Sequence, residues 1–292
     1  MRGRRVVVTG ATTGIGKETA RALANMGASV VIVGRDAEKL DRTIAELARE
    51  GLVVDSARCD FASLASVQDA ATALRDRFAE IHVLVNNAGA VFMERGVTHD
   101  GIESTLEVNH LAPFLFTRCL LPSLERAARA EQCARVVNVA STIHARASLD
   151  WDDIQSMRDY AGLRAYGRTK LMNVMFTYAL ARRLRAKHVT ATCLHPGVVA
   201  SGFGHNNRGW MGFGVKVVAP LLTTPAKGAR TSVFLASSAE VEGVTGRYFA
   251  PSFLRGRSRE AASSALSRDE AMQEKLWVIS EAILRERLWL DG

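Results

Sequence analysis

Short apolar runs of strand length alternate with amphipathic helical patterns along most of the chain. Six runs predict strands: RRVVVTG, ASVVIVG, residues 53–59, HVLVNNAG, ARVVNVAS and VTATCLHPG. Helical patterns separate them: KETARALANMG, EKLDRTIAELAREG, a segment from about residue 63, and the segments near 103–127 and 163–186. Strands joined through helices are connected by right-handed crossovers, so they lie parallel in one sheet that helices cover on both faces. We therefore predict an α/β fold with a doubly wound parallel sheet.

No linker rich in Pro, Gly or Ser divides the 292 residues. We predict a single domain over residues 1–292, with a core at about 4–250 and a C-terminal extension, 255–292, that contains a helix. In doubly wound sheets, ligands bind beyond the carboxyl ends of the strands, where the strand order reverses. The candidate site is therefore expected at that edge of the sheet.

The composition, with 48% hydrophobic and 23% charged residues, is typical of a globular chain with a substantial core. No segment approaches the roughly 20 apolar residues of a membrane-spanning helix. The basic start, MRGRR, is not followed by the apolar stretch of a signal peptide, so we expect a cytoplasmic chain. The four cysteines include no CxxC pair and no histidine at metal spacing, so we predict neither a metal site nor a disulfide framework.

The formal net charge of +8 is compatible with an anionic ligand, a membrane surface or nucleic acid. Its basic residues are scattered, except at residues 2–5 and 255–259, and no nucleic-acid-binding motif accompanies them. We therefore expect no nucleic-acid partner. The sequence leaves a homo-oligomer open.

A glycine-rich turn, TGATTGIG, follows the first predicted strand directly and precedes a helix that is expected from about Lys17. Glycines let a ligand approach the backbone, and the free N–H groups of a helix start bind phosphate, so this turn predicts a pyrophosphate site. Its Gly-xxx-Gly-x-Gly spacing departs from the G-x-G-x-x-G fingerprint, and tight packing of helix on sheet is the structural alternative. The predicted contacts are Gly10, Thr12, Thr13, Gly14, Ile15 and Gly16.

The end of the second strand indicates which dinucleotide is bound. An acidic side chain there accepts from a ribose 2′-hydroxyl, whereas an arginine pairs with a 2′-phosphate. This strand ends in Gly34-Arg35, which favours NADP(H) over NAD(H), with Lys17 as a candidate second cation. Asp36 complicates the interpretation, unless it caps the helix that begins near residue 37.

Tyr166 and Lys170 lie four residues apart, which places a phenol and an ammonium on one helix face. In isolation they could be a surface pair. Ser141, however, ends the predicted strand ARVVNVAS at the same sheet edge, and Asn109 lies within the long helix before it. These four polar residues are our candidate catalytic groups.

With these motifs, the sequence resembles the short-chain dehydrogenase/reductase superfamily over about residues 4–250. The matching motifs, in the superfamily's order, are TGATTGIG, NNAG at 86–89, Asn109, Ser141, Tyr166-xxx-Lys170 and Pro196-Gly197. Within it, the chain is most similar to the retinol-dehydrogenase-like branch, in DGIESTLEVNHLAPFLFT, ARVVNVAST, WDDI and YGRTKLMNVMFTYALARRL. The 25-residue spacing from Ser141 to Tyr166 is also typical of that branch. The resemblance implies a Rossmann-type oxidoreductase.

The resemblance assigns a role to each catalytic candidate. Tyr166 is the implied proton donor and acceptor, and Lys170 favours its phenolate and binds the nicotinamide ribose. Ser141 is implied to hydrogen-bond the substrate oxygen, and Asn109 to take part in a proton relay through water. Pro113 has no N–H to donate to the Asn109 carbonyl, so we expect that carbonyl to be free for a water and the helix to kink. A bend that serves packing alone is the alternative.

The resemblance also implies further cofactor contacts. Asp60, after the third strand, and Asn87, Ala88 and Gly89, after the fourth, align with adenine and ribose contacts. The backbone of Val199 and the hydroxyl of Ser201 align with positions that hold the nicotinamide carboxamide. The family usually has Thr in place of Ser201, and Ser keeps the hydroxyl.

Two segments suggest a hydrophobic substrate pocket. Residues 202–222, after the sixth strand, combine glycines with Trp210 and Phe213, which predicts a lid over the substrate. The insertion at residues 144–163 adds Trp151 and Tyr160. Packing of these aromatic side chains on the domain or at a subunit contact is the alternative.

Together these residues predict an NADP(H)-dependent carbonyl reductase or alcohol dehydrogenase for a small but bulky apolar carbonyl or alcohol, such as a retinoid, steroid, polyketide or lipid-derived ketone. A catalytically idle nucleotide-binding scaffold and a peripheral membrane-associated dehydrogenase are the alternatives. A Ser/His hydrolase through His195 is disfavoured, because no G-x-S-x-G elbow surrounds Ser141. His144 is either a pocket residue or a structural histidine.

Overall fold

The computed structural model describes residues 1–129, 131–197, 224–252 and 258–288. Strands and helices alternate along these ranges. The strands are β1 (Arg5–Thr9), β2 (Ser29–Gly34), β3 (Val54–Arg58), β4 (Val83–Asn86), β5 (Ala134–Val139), β6 (Val189–Leu194), β7 (Arg247–Pro251) and β8 (Ser258–Glu260). The helices are α1 (Gly14–Asn25), α2 (Ala37–Arg49), α3 (Leu64–Arg77), α4 (Ser104–Leu106), α5 (Ala112–Ala127), α6 (Gly162–Arg183), α7 (Pro225–Ser237) and α8 (Glu270–Leu288).

The eight strands form one sheet in the order β3-β2-β1-β4-β5-β6-β7-β8. Neighbouring strands from β3 to β7 pair in parallel, and β8 pairs antiparallel with β7. The strand order reverses between β1 and β4, which opens a crevice at their carboxyl ends. The predicted doubly wound parallel sheet is confirmed, while the two last strands were not foreseen.

Alternation of side chains along the central strands builds a core on each face of the sheet. On one face, Val7 and Leu84 pack with residues of α3, α5 and α6. On the other, Val6 and Val8 pack with residues of α1, α2 and α7. Because both faces are covered, these strands are continuous apolar runs, which is the pattern the sequence shows.

The helix predicted near 103–127 is interrupted by a wide turn. A π-helical segment, Glu107–Leu111, lies between α4 and α5 and carries Asn109. Pro113 follows at the start of α5 and has no N–H to offer the Asn109 carbonyl. We call residues 107–111 the π-turn; it departs from the α-helix directly before the proline, where the sequence predicted a kink.

Helix α8 packs on α5 and α6, the helices that cover one face of the sheet. The Trp277 ring lies 4.8 Å from the ring centre of Phe114 and 5.8 Å from that of Phe176. Arg183 places its guanidinium 3.9 Å from the same indole. Within the described ranges, no helix is both long and apolar enough to cross a membrane.

Candidate active site

The turn between β1 and α1 needs its glycines for close backbone approach. Gly10 and Gly14 adopt left-handed conformations, with φ of 63° and 57°. A Cβ at Gly10 would lie 2.8 Å from the Cα of Ala88, and one at Gly16 would overlap the Gly10 carbonyl oxygen. Gly10 and Gly16 are therefore required by tight packing, which was the structural alternative to a pyrophosphate site. The turn nevertheless also lines a cavity.

That cavity measures about 300 Å³ and lies at the carboxyl ends of β1, β2 and β4. The Thr13 side chain makes no capping hydrogen bond at the start of α1, so the first backbone N–H groups of the helix have no side-chain cap there. The predicted cofactor residues that line the cavity are Gly10, Thr12, Thr13, Gly14, Ile15, Gly16, Arg35, Asp60, Asn87, Ala88 and Gly89. The structure thus brings together residues from four separate loops.

Hydrogen bonds fix the end of β4 against the glycine turn. The Thr9 hydroxyl accepts from the backbone N–H groups of Asn87 and Ala88, at 3.0 Å each. The Asn87 amide donates to the carbonyls of Thr9, at 2.8 Å, and Gly10, at 3.2 Å. Asn87 therefore shapes the cavity by bracing the turn, a structural task that the sequence motif did not reveal.

The charged side chains near the end of β2, Asp36 and Lys17, have different partners. Asp36 accepts from the Lys39 backbone N–H at 3.1 Å and so caps α2, as the sequence allowed. Lys17 donates to both carboxylate oxygens of Glu46, at 2.9 Å each, and is absent from the cavity lining among the described residues. In this structure a carboxylate on α2 pairs with Lys17, and its suggested role as a second phosphate cation stays a prediction.

Arg58 is a cation that sequence reasoning missed. It pairs in register with Gly34, the residue before Arg35, and its Nε donates to the Arg35 carbonyl at 3.2 Å. The sequence does show a basic residue, Arg58, at the end of the third predicted strand, two positions before the predicted contact Asp60. Only strand pairing shows that the ends of β2 and β3 place the two arginines side by side.

The catalytic candidates meet next to the cavity, at Gly89. A Cβ at Gly89 would lie 3.1 Å from Asn109 Oδ1 and 3.3 Å from Lys170 Nζ. Both side chains are buried, and Lys170 Nζ lies 5.5 Å from the ring centre of Tyr166. The Lys170 ammonium thus lies between the Gly89 end of the cavity and the Tyr166 ring.

Burial dominates the electrostatics of this group. It raises the pKa of Tyr166 above its ordinary value, while a hydrogen bond with the Ser141 hydroxyl acts in the opposite direction. Burial lowers the pKa of Lys170 to about 8, and its ammonium donates to the Val139 carbonyl at 3.0 Å. Ser141 and Tyr166 are thus brought together as the sequence suggested.

Both the side chain and the backbone carbonyl of Asn109 make hydrogen bonds. Its Oδ1 accepts from the Ala90 N–H at 2.8 Å, and its Nδ2 donates to the Ala90 carbonyl at 2.8 Å. We expected its own carbonyl to be free for a water. Instead, that carbonyl accepts a hydrogen bond of 2.9 Å from Asn173 Nδ2, because α6 places an amide opposite the π-turn.

The two histidines near Ser141 are structural. His144 Nδ1 lies 2.6 Å from the Ser141 carbonyl, and its Nε2 accepts from the Ser264 N–H at 3.3 Å, so one neutral tautomer satisfies both nitrogens. His195 Nδ1 pairs with the Tyr248 hydroxyl at 3.2 Å. In the described hydrogen bonds, neither ring contacts the Ser141 hydroxyl, so these contacts give the hydrolase alternative no support.

The two aromatic residues of the insertion, Trp151 and Tyr160, are not among the described residues that line the cavity. Trp151 lies under the Lys275 ammonium of α8, 4.9 Å from its ring centre. The Tyr160 hydroxyl donates to the Phe92 carbonyl at 2.8 Å and lies 2.9 Å from the Thr105 hydroxyl. Trp151 thus packs on the domain, while Tyr160 contacts Phe92 of the cavity lining and its predicted place in a substrate pocket stays a prediction.

The remaining site predictions concern Val199, Ser201 and residues 202–222 with Trp210 and Phe213. They lie outside the described residues.

Comparison with known proteins identifies relatives over almost the whole chain. A family model described as short chain dehydrogenase matches residues 4–212. Retinol dehydrogenase 14 from Homo sapiens is 35% identical over 97% of this chain and 87% of its own length. "Putative daunorubicin C-13 ketoreductase DnrU" from Streptomyces sp. (strain C5) is 39% identical over 96% of this chain and 92% of its own. The Pseudomonas aeruginosa RhlG/NADP complex superimposes with a TM-score of 0.70 at 28% identity, over 86% of this chain and 95% of that one.

Proposed function

The chain belongs to the short-chain dehydrogenase family, and from this premise we propose that it is an NADP(H)-dependent oxidoreductase for bulky apolar carbonyls or alcohols. The observation that carries the proposal is the position of Lys170 Nζ. It lies between the end of the dinucleotide cavity at Gly89 and the ring of Tyr166. This arrangement joins a cofactor site to a proton donor, which is what hydride transfer to a carbonyl requires.

The residues present fit a dinucleotide. The glycine turn lines the cavity, and the uncapped start of α1 offers N–H groups to a pyrophosphate. Asp60 and Asn87 to Gly89 would line the adenosine and ribose part, and Lys170 would reach the nicotinamide ribose. When bound, the dinucleotide supplies or accepts the hydride.

Tyr166 supplies the matching proton. Because burial raises its pKa, the phenol is protonated at neutral pH and can donate to the carbonyl oxygen as the carbonyl carbon gains hydride. The bond order of the carbonyl falls by one, and the product is an alcohol. Lys170, whose pKa of about 8 keeps it largely cationic at pH 7, stabilises the phenolate that remains. Ser141 hydrogen-bonds the substrate oxygen as negative charge develops on it.

The preference for NADP(H) rests on the two arginines at the ends of β2 and β3. Arg35 lines the cavity, and Arg58 lies outside its lining and donates to the Arg35 carbonyl, so Arg35 is the cation proposed to pair with a 2′-phosphate and Arg58 supports its backbone. Asp36 does not oppose them, because it caps α2. Arg35→Ala should weaken NADPH binding at least tenfold and leave NADH binding within twofold, measured by titration calorimetry. An equal loss for both nucleotides would contradict the assignment.

The substrate class is proposed from the relatives and the sequence. By their printed names, one relative is a dehydrogenase of retinol and another a putative ketoreductase of daunorubicin at C-13. Residues 202–222 add Trp210 and Phe213 after the sixth strand, which is compatible with such molecules. We propose a ketone or aldehyde of that class, or the corresponding alcohol.

The test is a panel of carbonyls followed at the NADPH absorbance, with Tyr166→Phe beside the wild type. The variant keeps the ring and loses the proton, so turnover should fall by 10²-fold or more while NADPH still binds. Tyr178→Phe is the matched control, because Tyr178 lies on the same helix and bonds Ser263 away from the cavity. Tyr166→Phe activity above about a tenth of wild type would refute the role of Tyr166. A wild type that binds NADPH and reduces nothing would favour the idle scaffold.

A further inference from the structure

A chain of buried polar side chains links the C-terminal helix to Asn109. Ser280 Oγ on α8 lies 2.9 Å from His110 Nε2, and His110 Nδ1 lies 3.4 Å from Asn173 Oδ1. Asn173 Nδ2 then donates to the Asn109 carbonyl at 2.9 Å. Ser280, His110 and Asn109 are each at most 1% exposed, and Asn173 is 8% exposed. Three elements distant in sequence thus meet at the π-turn.

The direction of these hydrogen bonds follows from the Asn173 amide. Its nitrogen faces the Asn109 carbonyl, so its oxygen faces His110 and must accept. His110 Nδ1 therefore carries the ring proton, and a neutral ring leaves Nε2 as an acceptor. Ser280 must then donate to Nε2. The hydroxyl also lies 2.8 Å from the Leu276 carbonyl, to which it can donate instead. We infer that its single hydrogen serves Nε2, because Nε2 would otherwise be a buried acceptor without a donor, whereas the Leu276 carbonyl can accept the backbone N–H one helical turn later.

Apolar rings surround His110, so its two nitrogens depend on Ser280 and Asn173 for their hydrogen bonds. The His110 ring packs 6.1 Å from the Phe114 ring and 6.4 Å from the Phe176 ring. Burial lowers the pKa of His110 to about 4, so the ring is neutral at pH 7. In such an apolar site, a lost partner leaves a buried polar atom unsatisfied, which costs more than the same loss in water. The chain of hydrogen bonds is therefore held in one arrangement.

We propose that α8 positions the Asn109 turn for proton transfer, with Ser280 and His110 as positioning residues that act through Asn173. This inference rests on the proposed function. The hydrogen bond on the Asn109 carbonyl sets where the π-turn places the Asn109 side chain, which lies beside Lys170 Nζ at Gly89. Neither Ser280 nor His110 lines the cavity, so their effect on the reaction is indirect.

The first test compares Ser280→Ala with Leu284→Ala. Both residues are buried on α8, one helical turn apart, and only Ser280 belongs to the hydrogen-bonded chain. Ser280→Ala should lower kcat about fivefold, the effect of one net hydrogen bond, with KM for NADPH and for the carbonyl within twofold of wild type. Leu284→Ala should lower Tm through lost packing and keep kcat. A kcat loss that follows Tm equally in both variants would overturn the proposal, because the role of Ser280 would then be structural.

The second test needs no turnover. Long-range ¹⁵N spectra of the histidine rings at pH 7, with His110 assigned from its loss in His110→Gln, should show Nδ1 protonated and Nε2 unprotonated. In Ser280→Ala, the Nε2 resonance should shift, because its donor is gone. A ring protonated on Nε2 would overturn the proposed chain. If the wild type reduces no carbonyl, the proposed function fails, and the tautomer still decides the direction of the hydrogen bonds.

Discussion

Glu107 begins the π-turn, and its protonation should make the stability of the protein fall as the pH rises. The side chain is 0% exposed. Burial raises its pKa from 4.5 to about 8, and the nearby carboxyl of Asp100 adds to the rise, while a hydrogen bond from Thr98 opposes it. At pH 7, the folded chain therefore holds a proton that the unfolded chain releases.

The size of the effect follows from the two pKa values. Keeping a carboxyl of unfolded pKa 4.5 protonated at pH 7 costs about 3 kcal/mol, at about 1.4 kcal/mol per pH unit. Because the folded pKa is the higher one, the stabilising contribution is complete below pH 4.5 and is lost as the pH rises towards 8. Glu107→Gln keeps the shape of the side chain and cannot ionise, so it should avoid this loss.

Urea unfolding at several values between pH 5 and pH 8 measures the effect. The free energy of unfolding of Glu107→Gln, minus that of wild type, should rise by about 1.4 kcal/mol per pH unit. Glu274→Gln is the control, because a hydrogen bond from Arg183 lowers the pKa of Glu274 to about 2 and the group stays ionised in this range. Its curve should run parallel to wild type. A difference for Glu107→Gln that does not change with pH would refute the reasoning.

Three further variants test the cavity and the C-terminal helix. Gly16→Ala should weaken NADPH binding at least tenfold by calorimetry, because its Cβ would overlap the Gly10 carbonyl. Arg58→Ala should weaken NADPH binding less than Arg35→Ala does and spare NADH, because Arg58 lies outside the cavity lining and acts through the Arg35 carbonyl. Trp277→Ala should cost about 3–5 kcal/mol in urea unfolding, because the indole of α8 packs against the rings of Phe114 on α5 and Phe176 on α6. A loss below about 1 kcal/mol would show that α8 packs without it.

The parts of the site that could be predicted are those that depend on residues close together in the sequence. The glycine turn, the end of β2 at Arg35 and the Tyr166–Lys170 spacing each depend on a few adjacent residues. Their physical requirements, such as a left-handed backbone at Gly10, leave a direct mark in residue type. The doubly wound sheet followed in the same way, from the period of apolar residues in each segment.

The parts that could not be predicted depend on pairs that are far apart in the chain. Arg58 reaches Arg35 only because β2 and β3 pair in one register. The Asn109 carbonyl was expected to be free because Pro113 removes its local donor, and nothing local shows that Asn173 on another helix replaces that donor. Loss of a local partner therefore predicts a need for a hydrogen bond, and only the fold shows which group meets it.

Burial of Lys170 connects the stability of the fold with its proposed chemistry. The ammonium bonds the neutral Val139 carbonyl and has no carboxylate partner within the part of the chain that the structure describes. A buried cation with neutral partners is unfavourable for the fold, and burial lowers its pKa to about 8 accordingly. The same arrangement favours a phenolate at Tyr166 and an anionic dinucleotide in the adjoining cavity, because either one places negative charge near the ammonium. The burial of Lys170 that is unfavourable for the fold is thus the feature that would stabilise negative charge beside it in the proposed reaction.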